Sequence, residues 1–433
     1  MKLVTEEKKF KPEKAFWVQA IKDEILAEMT LKKRYHFLNN NLMAALEPDE
    51  KNFLNKVQRF CLRMERKVDH TEDFYEWIPK FGEQGFVTRA HSFSECGLDY
   101  RPFGMVADMM RCLAVDFFDP QFNMAMGATV LAINPVHEHH EGIPVRMQAL
   151  KEMATGQAAG AILITEPERG SDATRQLTLA ERRDDGIVLN GTKIYNTNAP
   201  KAKWLVVYGT AEQNNPKTMC QCLVEVPCEG LTIERVNIPW VPKVFIGREE
   251  LRDVFVPNER VLGDIGRGMA HLFEGLVPER IGIAVLNMAE CWNAVTHAAI
   301  YSNLREQMGK PILLHQGVGF TLTDAWAKTT NLTLALLNFG RSYDEKFEKF
   351  GGEIPKAIQG ALVASASQLK YHCAILAERI CYEMANLMGG AGVCDNTLMH
   401  DLVGVSRIQE VVGGARQIQQ YIMSRALRTL WKM

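Results

Sequence analysis

A change of sequence pattern along the chain constrains its fold more than any other feature. Residues 53–64 place apolar side chains at three- and four-residue steps, after the helix-start signal at 47–50. From about residue 160 to 265, short apolar runs alternate with turn signals, and 187–189 precede Asn190-Gly191, a pair typical of hairpin turns. Helical patterns return from about residue 269. This order predicts a mainly α protein with a central β domain, in which two helical domains flank a small β-barrel-like sheet domain.

The length and these pattern changes define the expected domains. A chain of 433 residues usually contains about two or three domains. We predict an N-terminal helical domain at 46–159, a middle β domain at 160–268 and a C-terminal helical domain at 269–433. Residues 1–45 form a charged, aromatic-containing extension to which the sequence assigns no role, although 20–28 could form a helix.

Charge and composition exclude several classes of protein. Lys and Arg number 50 against 52 Asp and Glu, so the chain lacks the basic excess typical of nucleic-acid-binding proteins. No apolar run approaches the roughly 18 residues of a membrane span. The spacing of the ten cysteines indicates no disulfide framework. The first nine residues are rich in charge and lack the apolar segment of a signal peptide. These features predict a cytoplasmic protein with reduced thiols.

Five sequence blocks carry a family resemblance. The run I-L-I-T-E-P-E-R-G-S-D at 162–172 resembles the acyl-CoA dehydrogenase signature, and L-N-G-T-K-I-Y-N-T-N at 189–198 resembles the block that follows it in that family. Blocks at 305–316, 386–392 and 408–425 are also similar and come in the family's order. The helical stretch before residue 162 has no motif as sharp. Because five blocks match in order, the chain is identified as a member of this FAD-dependent family.

The resemblance implies a set of FAD-binding residues. Thr197 would hydrogen-bond near flavin N5, Tyr195 would lie against the ring, and Ile164 and Thr165 would offer backbone and hydroxyl groups to its pyrimidine edge. Ser171 would contact the cofactor phosphate or the CoA moiety. The other implied FAD-binding residues are Ile162, Arg305, Gln316, Asn386, Gly390, Ala415 and Gln417.

Arg305 resembles the family arginine that reaches the FAD pyrophosphate from a neighbouring subunit. A guanidinium suits a diphosphate because it is planar and always charged. If Arg305 crosses an interface, FAD binding requires at least a dimer, and the family expectation is a homotetramer. Without the resemblance, a solvated helix arginine would be the simpler interpretation.

The implied reaction needs a carboxylate that removes the α-proton of the thioester. Many family members carry this glutamate in a Y-E-G-T block, but the matching positions here are Val412-Gly413-Gly414-Ala415. A subset that includes isovaleryl-CoA and long-chain acyl-CoA dehydrogenases takes its base from another helix, just before an arginine. Glu279 is therefore the candidate base, and Arg280 resembles the residue that contacts CoA. Pro278 predicts a kink in this helix.

Two other acids are alternative bases. Glu410 lies three residues before Gly413 on a predicted helix. Asp119 belongs to the segment that lines the acyl pocket in the family, although an Asp before Pro120 is more often a turn residue. With Val412 and Gly413 in place of an aromatic residue and a glutamate, we expect a roomier pocket for a branched, cyclic or aryl-substituted acyl group.

The reaction remains open in three respects. Electron-transfer flavoprotein is the expected electron acceptor, while oxygen would make the protein an oxidase. The same half-reactions run in reverse would make it an enoyl-CoA reductase. Because Gly413 replaces the common glutamate, a flavin-binding scaffold without catalysis is a further alternative.

Two sequence patterns resemble metal sites without matching one. The run H-E-H-H-E at 137–141 is not H-E-x-x-H, and it falls where the family has a polar connecting loop. Cys220 and Cys222 share one face of a predicted strand near Cys228, but no second pair matches them. We predict no metal site.

Overall fold

The computed structural model describes residues 21–42, 44–70, 72–88, 104–351 and 354–431. A helical region comes first within these ranges. Its third helix is fixed at its start by a reciprocal capping box, in which the side chains of Glu47 and Glu50 each accept from the other's backbone N–H. Its helices are α1 Asp23–Glu28, α2 Leu31–Leu42, α3 Pro48–Glu65, α4 Ile78–Glu83, α5 Met105–Phe118, α6 Pro120–Glu138 and α7 Pro144–Ala154. The helix expected near 20–28 is thus present, whereas residues 1–20 lie outside the described residues.

The middle region is a sheet of eight strands. They lie in the order β6-β7-β3-β2-β4-β5-β8, and β1 pairs with β4 in parallel. The strands are β1 Ala159–Leu163, β2 Leu179–Arg182, β3 Gly186–Thr197, β4 Ala202–Thr210, β5 Met219–Glu225, β6 Leu231–Val236, β7 Ile246–Pro257 and β8 Val261–Leu262. Strand β4 contains the run W-L-V-V-Y at 204–208, and β5 overlaps the run C-L-V-E-V at 222–226.

The hairpin turn predicted at Asn190-Gly191 is wrong. Both residues lie inside β3, where the pairing with β7 shifts register. Asn190 exchanges two hydrogen bonds with Asp253 across this shift, at 2.9 and 3.0 Å. A Cβ on Gly191 would lie 2.6 Å from Thr178 Oγ1. The glycine therefore serves a close approach at a β-bulge rather than a turn.

The second helical region is built around α9, whose middle is almost wholly buried between α5 and α11. Its elements are α8 Gly268–Glu274, α9 Leu276–Leu304, β9 Glu306–Gln307, β10 Lys310–Pro311, α10 Gln316–Lys349, α11 Lys356–Leu387, α12 Met399–Val411 and α13 Arg416–Leu430. Pro278 is the third residue of α9. Helix α8 ends at Glu274 and Gly275 separates it from α9, so the proline lies in the first turn of a new helix, where N–H groups have no intrahelical partner for it to remove.

One asparagine joins the first helical region to the sheet. Asn198 follows β3 in a left-handed conformation with φ of 72°, and its side chain is fully buried. It donates to the carbonyl of Ala125 in α6 at 2.7 Å and accepts from the Tyr75 hydroxyl at 2.7 Å. The end of β3 is therefore held in a fixed position against the helices.

The architecture confirms the predicted fold class, a mainly α protein with a central sheet region between two helical regions. None of the helices in the described part of the chain combines the length and the apolar composition that a membrane span requires.

Candidate active site

The loop between α12 and α13 meets the start of α9. Gly413 and Gly414 both have positive φ, 62° and 87°. A Cβ added to Gly413 would overlap Ile283 Cδ1 and would lie 3.5 Å from Glu279 Oε1. The structure thus brings together the candidate base and the position where many family members carry their glutamate. Ile283 and the Glu279 carboxylate fill the space that a side chain at 413 would need.

Arg280 is a buried cation with free hydrogen-bonding capacity. Its residue is 3% exposed, and its Nε and Nη1 atoms have no hydrogen-bond partner. Burial lowers the pKa of Arg280 from its ordinary value, and the charge of Glu279 opposes that effect. Buried polar groups in proteins are nearly always paired, so an unpaired guanidinium indicates a place for an anionic or carbonyl-bearing ligand.

The alternative base Glu410 is engaged by arginines. Its residue is 7% exposed, Arg416 Nε donates to one carboxylate oxygen at 3.0 Å, and Arg407 Nη1 donates to the other at 3.4 Å. Each arginine also pairs with Glu378. An acid held in such a network favours a structural role over proton transfer.

The alternative base Asp119 caps a helix. Its side chain is fully buried and accepts from the Phe122 N–H at the start of α6, at 2.9 Å. Lys243 Nζ lies 2.7 Å away and His70 Nδ1 3.2 Å away. Burial alone would raise the pKa of Asp119, but the His70 hydrogen bond and the Lys243 charge lower it below its ordinary value. These contacts favour a structural role at the start of α6 over a place in the acyl pocket.

The residues of β3 and of the segment after β1 that are expected at the flavin are partly exposed. Tyr195 forms a bulge in β3 with φ of 62°, and its residue is 60% exposed. Thr197, two residues on, is half-buried at the end of the strand. Ile164 and Thr165 are also half-buried, and their carbonyl oxygens accept from Lys193 Nζ at 3.1 Å and from the Ile194 N–H at 3.0 Å. Backbone N–H groups and the Thr165 hydroxyl are what these two positions would present to a flavin.

Lys193 links the two sharpest sequence blocks. Its buried ammonium donates to Glu166 Oε1 at 3.0 Å and to Gln176 Oε1 at 2.9 Å. Glu166 also accepts from the backbone N–H groups of Leu177 and Thr178. Burial lowers the pKa of Lys193 to about 8, against the opposing charge of Glu166. This ion pair joins an acid of one block to a lysine of the next.

The other implied FAD residues lie on several elements. Ser171 is exposed in the turn after β1, where Ile162 is half-buried. Asn386 and Gly390 are exposed at the end of α11, and a Cβ on Gly390 would meet nothing within 4 Å. The remaining positions are Ala415 and Gln417 at the start of α13, Gln316 at the start of α10 and Arg305 at the end of α9.

These positions suit the flavin that the resemblance implies. An aromatic residue held at positive φ with more than half of its surface exposed offers a face for a planar ring. The half-buried groups on β3 and after β1 supply hydrogen-bonding partners beside it. The open surface at Gly390 leaves the backbone accessible to a large ligand. The residues present therefore fit FAD.

The structure places the two metal-like patterns at a helix end and on a strand. The 137–141 run ends α6, and Arg146 holds it by donating to the His139 carbonyl at 2.8 Å and to Glu141. Cys220 and Cys222 are free, buried thiols on β5, whereas Cys228 is half-buried. Among the residues with described positions, no group of three or more His, Cys, Asp or Glu side chains is arranged to hold a metal ion.

Two polar residues with a part in the site had no assigned role in the sequence. Asn198 belongs to the matched block at 189–198, but the family resemblance assigns it no role. Lys370 in α11 donates to the carbonyls of Glu410 and Gly414 on either side of Gly413, at 2.9 and 3.0 Å. No motif marks it, because its hydrogen-bond partners are backbone atoms distant in sequence.

Comparison with known proteins gives matches along the chain. The family model for the acyl-CoA dehydrogenase middle domain matches residues 161–240, and the model for the C-terminal domain matches 266–428. Together they cover more than half of the chain. The mitochondrial 2-methylacyl-CoA dehydrogenase of Solanum tuberosum is 25% identical, over 96% of this chain and 98% of its own length.

Two more similar proteins extend the comparison. A subunit of the caffeyl-CoA reductase–Etf complex of Acetobacterium woodii is 25% identical over 64% of this chain and 70% of its own length. The fold is similar to that of butyryl-CoA dehydrogenase from Megasphaera elsdenii, with a TM-score of 0.77 and 22% identity over 88% of this chain and 98% of that one. The protein therefore belongs to the acyl-CoA dehydrogenase family of oxidoreductases, whose cofactor is FAD.

Proposed function

We propose that this protein catalyses α,β-dehydrogenation of a branched, cyclic or aryl-substituted acyl-CoA thioester, with Glu279 as the base. The observation that carries the proposal is the position of Glu279 Oε1, 3.5 Å from the place of a Cβ on Gly413. A carboxylate from α9 thereby reaches the region from which the usual glutamate would act. The missing glutamate at 413 is no argument for a scaffold without catalysis.

In this mechanism the Glu279 carboxylate accepts the α-proton as the carbon–carbon double bond forms. FAD supplies the acceptor for the hydride that leaves the β-carbon. Arg280 binds the CoA part of the substrate, because its buried Nε and Nη1 atoms can donate to phosphate or carbonyl oxygens. Residues Ser171, Val412 and Gly413 complete the proposed substrate site.

We propose that FAD is held by residues of the matched blocks. Tyr195 would lie against the ring and Thr197 would donate near its reactive nitrogen. The other proposed FAD-binding residues are Ile162, Ile164, Thr165, Ser171, Arg305, Gln316, Asn386, Gly390, Ala415 and Gln417.

The acyl class is supported by relatives more than by the pocket. Ile283 Cδ1 occupies part of the space expected at Gly413, so the exchange of Glu for Gly does not simply enlarge the pocket. One relative is named for 2-methylacyl thioesters and another for caffeyl-CoA, a branched and an aryl-bearing group. Both kinds of substituent belong in the first screen of substrates.

The test is an anaerobic titration of the holoenzyme with straight-chain, branched, cyclic and aryl-substituted acyl-CoA thioesters. We expect one of the last three classes to bleach the oxidised flavin absorbance. Bleaching by straight-chain thioesters alone would contradict the substrate assignment. A flavoprotein that no thioester bleaches would contradict the reaction.

The reverse reaction is a second candidate because one relative is named as a reductase. An enoyl-CoA reductase would reoxidise its reduced flavin rapidly with the unsaturated thioester, and the saturated product would bleach the flavin only slightly. Photoreduced enzyme mixed with the unsaturated member of one pair measures the reductase direction, and oxidised enzyme mixed with the saturated member measures the dehydrogenase direction. The ratio of the two rates decides between them.

Electron-transfer flavoprotein is the proposed partner in either direction, since that same relative is a subunit of a complex with Etf. The test is reduction of purified electron-transfer flavoprotein by substrate in the presence of this enzyme. Oxygen consumption at a comparable rate without it would favour an oxidase.

We also propose a homotetramer in which Arg305 reaches the FAD of a neighbouring subunit. Arg305 precedes the β9–β10 hairpin, whose Met308 is 93% exposed, and Leu314 and Phe320 nearby are more than 60% exposed. Such apolar exposure is typical of a surface covered in an oligomer. Light scattering should give four chains per particle, and Arg305→Gln should lower FAD retention without dissociating the tetramer. A monomer that binds FAD fully would contradict this assembly.

A further inference from the structure

Lys370 is a buried lysine that the proposed chemistry does not use. Its side chain is fully buried in α11, and its Nζ donates to the carbonyl oxygens of Glu410 and Gly414. One carbonyl ends α12 and the other belongs to the loop that follows. The ammonium therefore binds both ends of the segment that contains Gly413, where an added Cβ would lie 3.5 Å from Glu279 Oε1.

Charged groups from three other helices face this ammonium: Glu279 and Arg280 of α9, Glu410 of α12 and Arg416 of α13. Burial lowers the pKa of Lys370 to about 8, while the carboxylates of Glu410 and Glu279 act in the opposite direction. Glu410 already has Arg416 on one oxygen and Arg407 on the other. The Lys370 charge acts on both acids, but Glu410 is already held by two arginines, whereas Glu279 is the candidate base.

We propose that Lys370 is a positioning residue for the base: it holds the Gly413-Gly414 loop against Glu279 and favours the ionised form of the Glu279 carboxylate. This inference rests on the proposed function. Only the ionised carboxylate accepts the α-proton, and a nearby cation increases the ionised fraction at a given pH. A lysine that served only the two carbonyls could be replaced by a neutral donor without any effect on the base.

Lys370→Gln separates these two roles, because glutamine keeps an N–H donor and removes the charge. The readout is exchange of the substrate α-hydrogen in heavy water, followed by NMR as a function of pH on the holoenzyme. The probe is tert-butylacetyl-CoA, which has α-hydrogens but no β-hydrogen to transfer. We expect the acidic limb of the exchange profile to move up by about one pH unit in Lys370→Gln.

The matched control is Gln419, a buried neutral residue of α13 that binds the same loop. Its Nε2 donates to the carbonyls of Gly413 at 3.0 Å and Gly414 at 2.8 Å. Gln419→Leu should slow exchange and leave the acidic limb in place, since no charge is lost. Lys370→Arg should keep the parent limb.

A second neutral variant tests the same loss of charge in case Lys370→Gln fails to fold. Lys370→Met keeps the buried aliphatic stem and leaves no polar group to desolvate, so it should fold and show the same shift as Lys370→Gln. Parent-like limbs in both neutral variants, or an equal shift in Gln419→Leu, would overturn the role of Lys370. Exchange that survives Glu279→Gln unchanged would instead remove the proposed base and leave Lys370 a structural lysine.

Discussion

Charged side chains are buried near the starts of helices α6 and α9, but they differ in their hydrogen-bond partners. At the start of α6, the Asp119 carboxylate accepts from a backbone N–H and lies within hydrogen-bond distance of Lys243 and His70. At the start of α9, Arg280 is almost as deeply buried, yet two of its guanidinium nitrogens have no hydrogen-bond partner. The first group is satisfied by the folded chain, and the second is not.

The difference separates a structural acid from a ligand-binding cation. A buried charge costs free energy unless partners replace the water that it loses. Asp119 has such partners within its own fold, so its chemistry is complete without a substrate. Arg280 retains an unmet requirement, and an enzyme keeps such a group where a ligand supplies the partner.

Glu279→Gln should have the largest effect. The amide cannot accept the α-proton, so we expect the rate of flavin reduction by substrate to fall by about 10³-fold or more. FAD content and Tm should stay near those of the parent. Stopped-flow absorbance of the flavin measures the rate. Glu410→Gln is the matched control, and it should stay within severalfold of the parent; the opposite ranking would move the base to α12.

Asp119→Asn should affect stability more than catalysis. Removing the Asp119 charge leaves Lys243 with only its longer contact to Asp401, at 3.8 Å, and loss of one partner of a buried ion pair typically costs about 3 kcal/mol of unfolding free energy. Denaturant unfolding of the holoenzyme measures this loss. Asp49→Asn, at an exposed first-turn position of α3, should be nearly neutral. A folded Asp119→Asn enzyme with parent stability but no flavin reduction would return Asp119 to the acyl pocket.

The sequence predicted the fold class and the region of the candidate base, because both depend on local patterns and motifs. The order of helical and β patterns predicted the fold class. The adjacent Glu279 and Arg280, with Gly413 far along the chain, predicted where to look for the base. The structure then brought Glu279 and Gly413 together.

The errors and omissions have physical causes. Asn190-Gly191 looks like a turn by residue preference alone, but β3 continues through it because the sheet needs a close approach to Thr178. Pro278 was placed inside a helix because the sequence does not show that α8 ends at Glu274 and that α9 starts only two residues before the proline. Lys370 was missed because its partners are carbonyl oxygens, which every residue possesses. Sequence cannot show that Arg280 lacks partners, since that depends on packing.

Arg280→Met should lower substrate affinity without destabilising the ligand-free protein. Hydrogen bonds from a charged group contribute about 2 kcal/mol, so the Kd of a non-oxidisable acyl-CoA analogue should rise about 30-fold. The Tm without ligand should be unchanged or higher, because an unpaired buried charge is removed. Arg280→Lys should recover part of the affinity. A variant that loses Tm but keeps its affinity would place Arg280 with Asp119 as a structural group.

The smallest effect should come from His70, and it should depend on pH. Burial opposes the charged form, but hydrogen bonds to Asp119 and Glu65 raise the pKa of His70 to about 9. A histidine with a raised folded pKa stabilises fully below its unfolded pKa of about 6.5, and the contribution is lost as the pH rises through the folded value. The Tm of the parent relative to His70→Gln should therefore fall by on the order of 1–2 °C between those two pH values. His36→Gln, at an exposed position of α2, is the control and should show no such trend. A constant Tm difference across this range would mean that His70 holds Asp119 as a neutral hydrogen-bond donor, and the charge at the start of α6 would then be balanced by Lys243 alone.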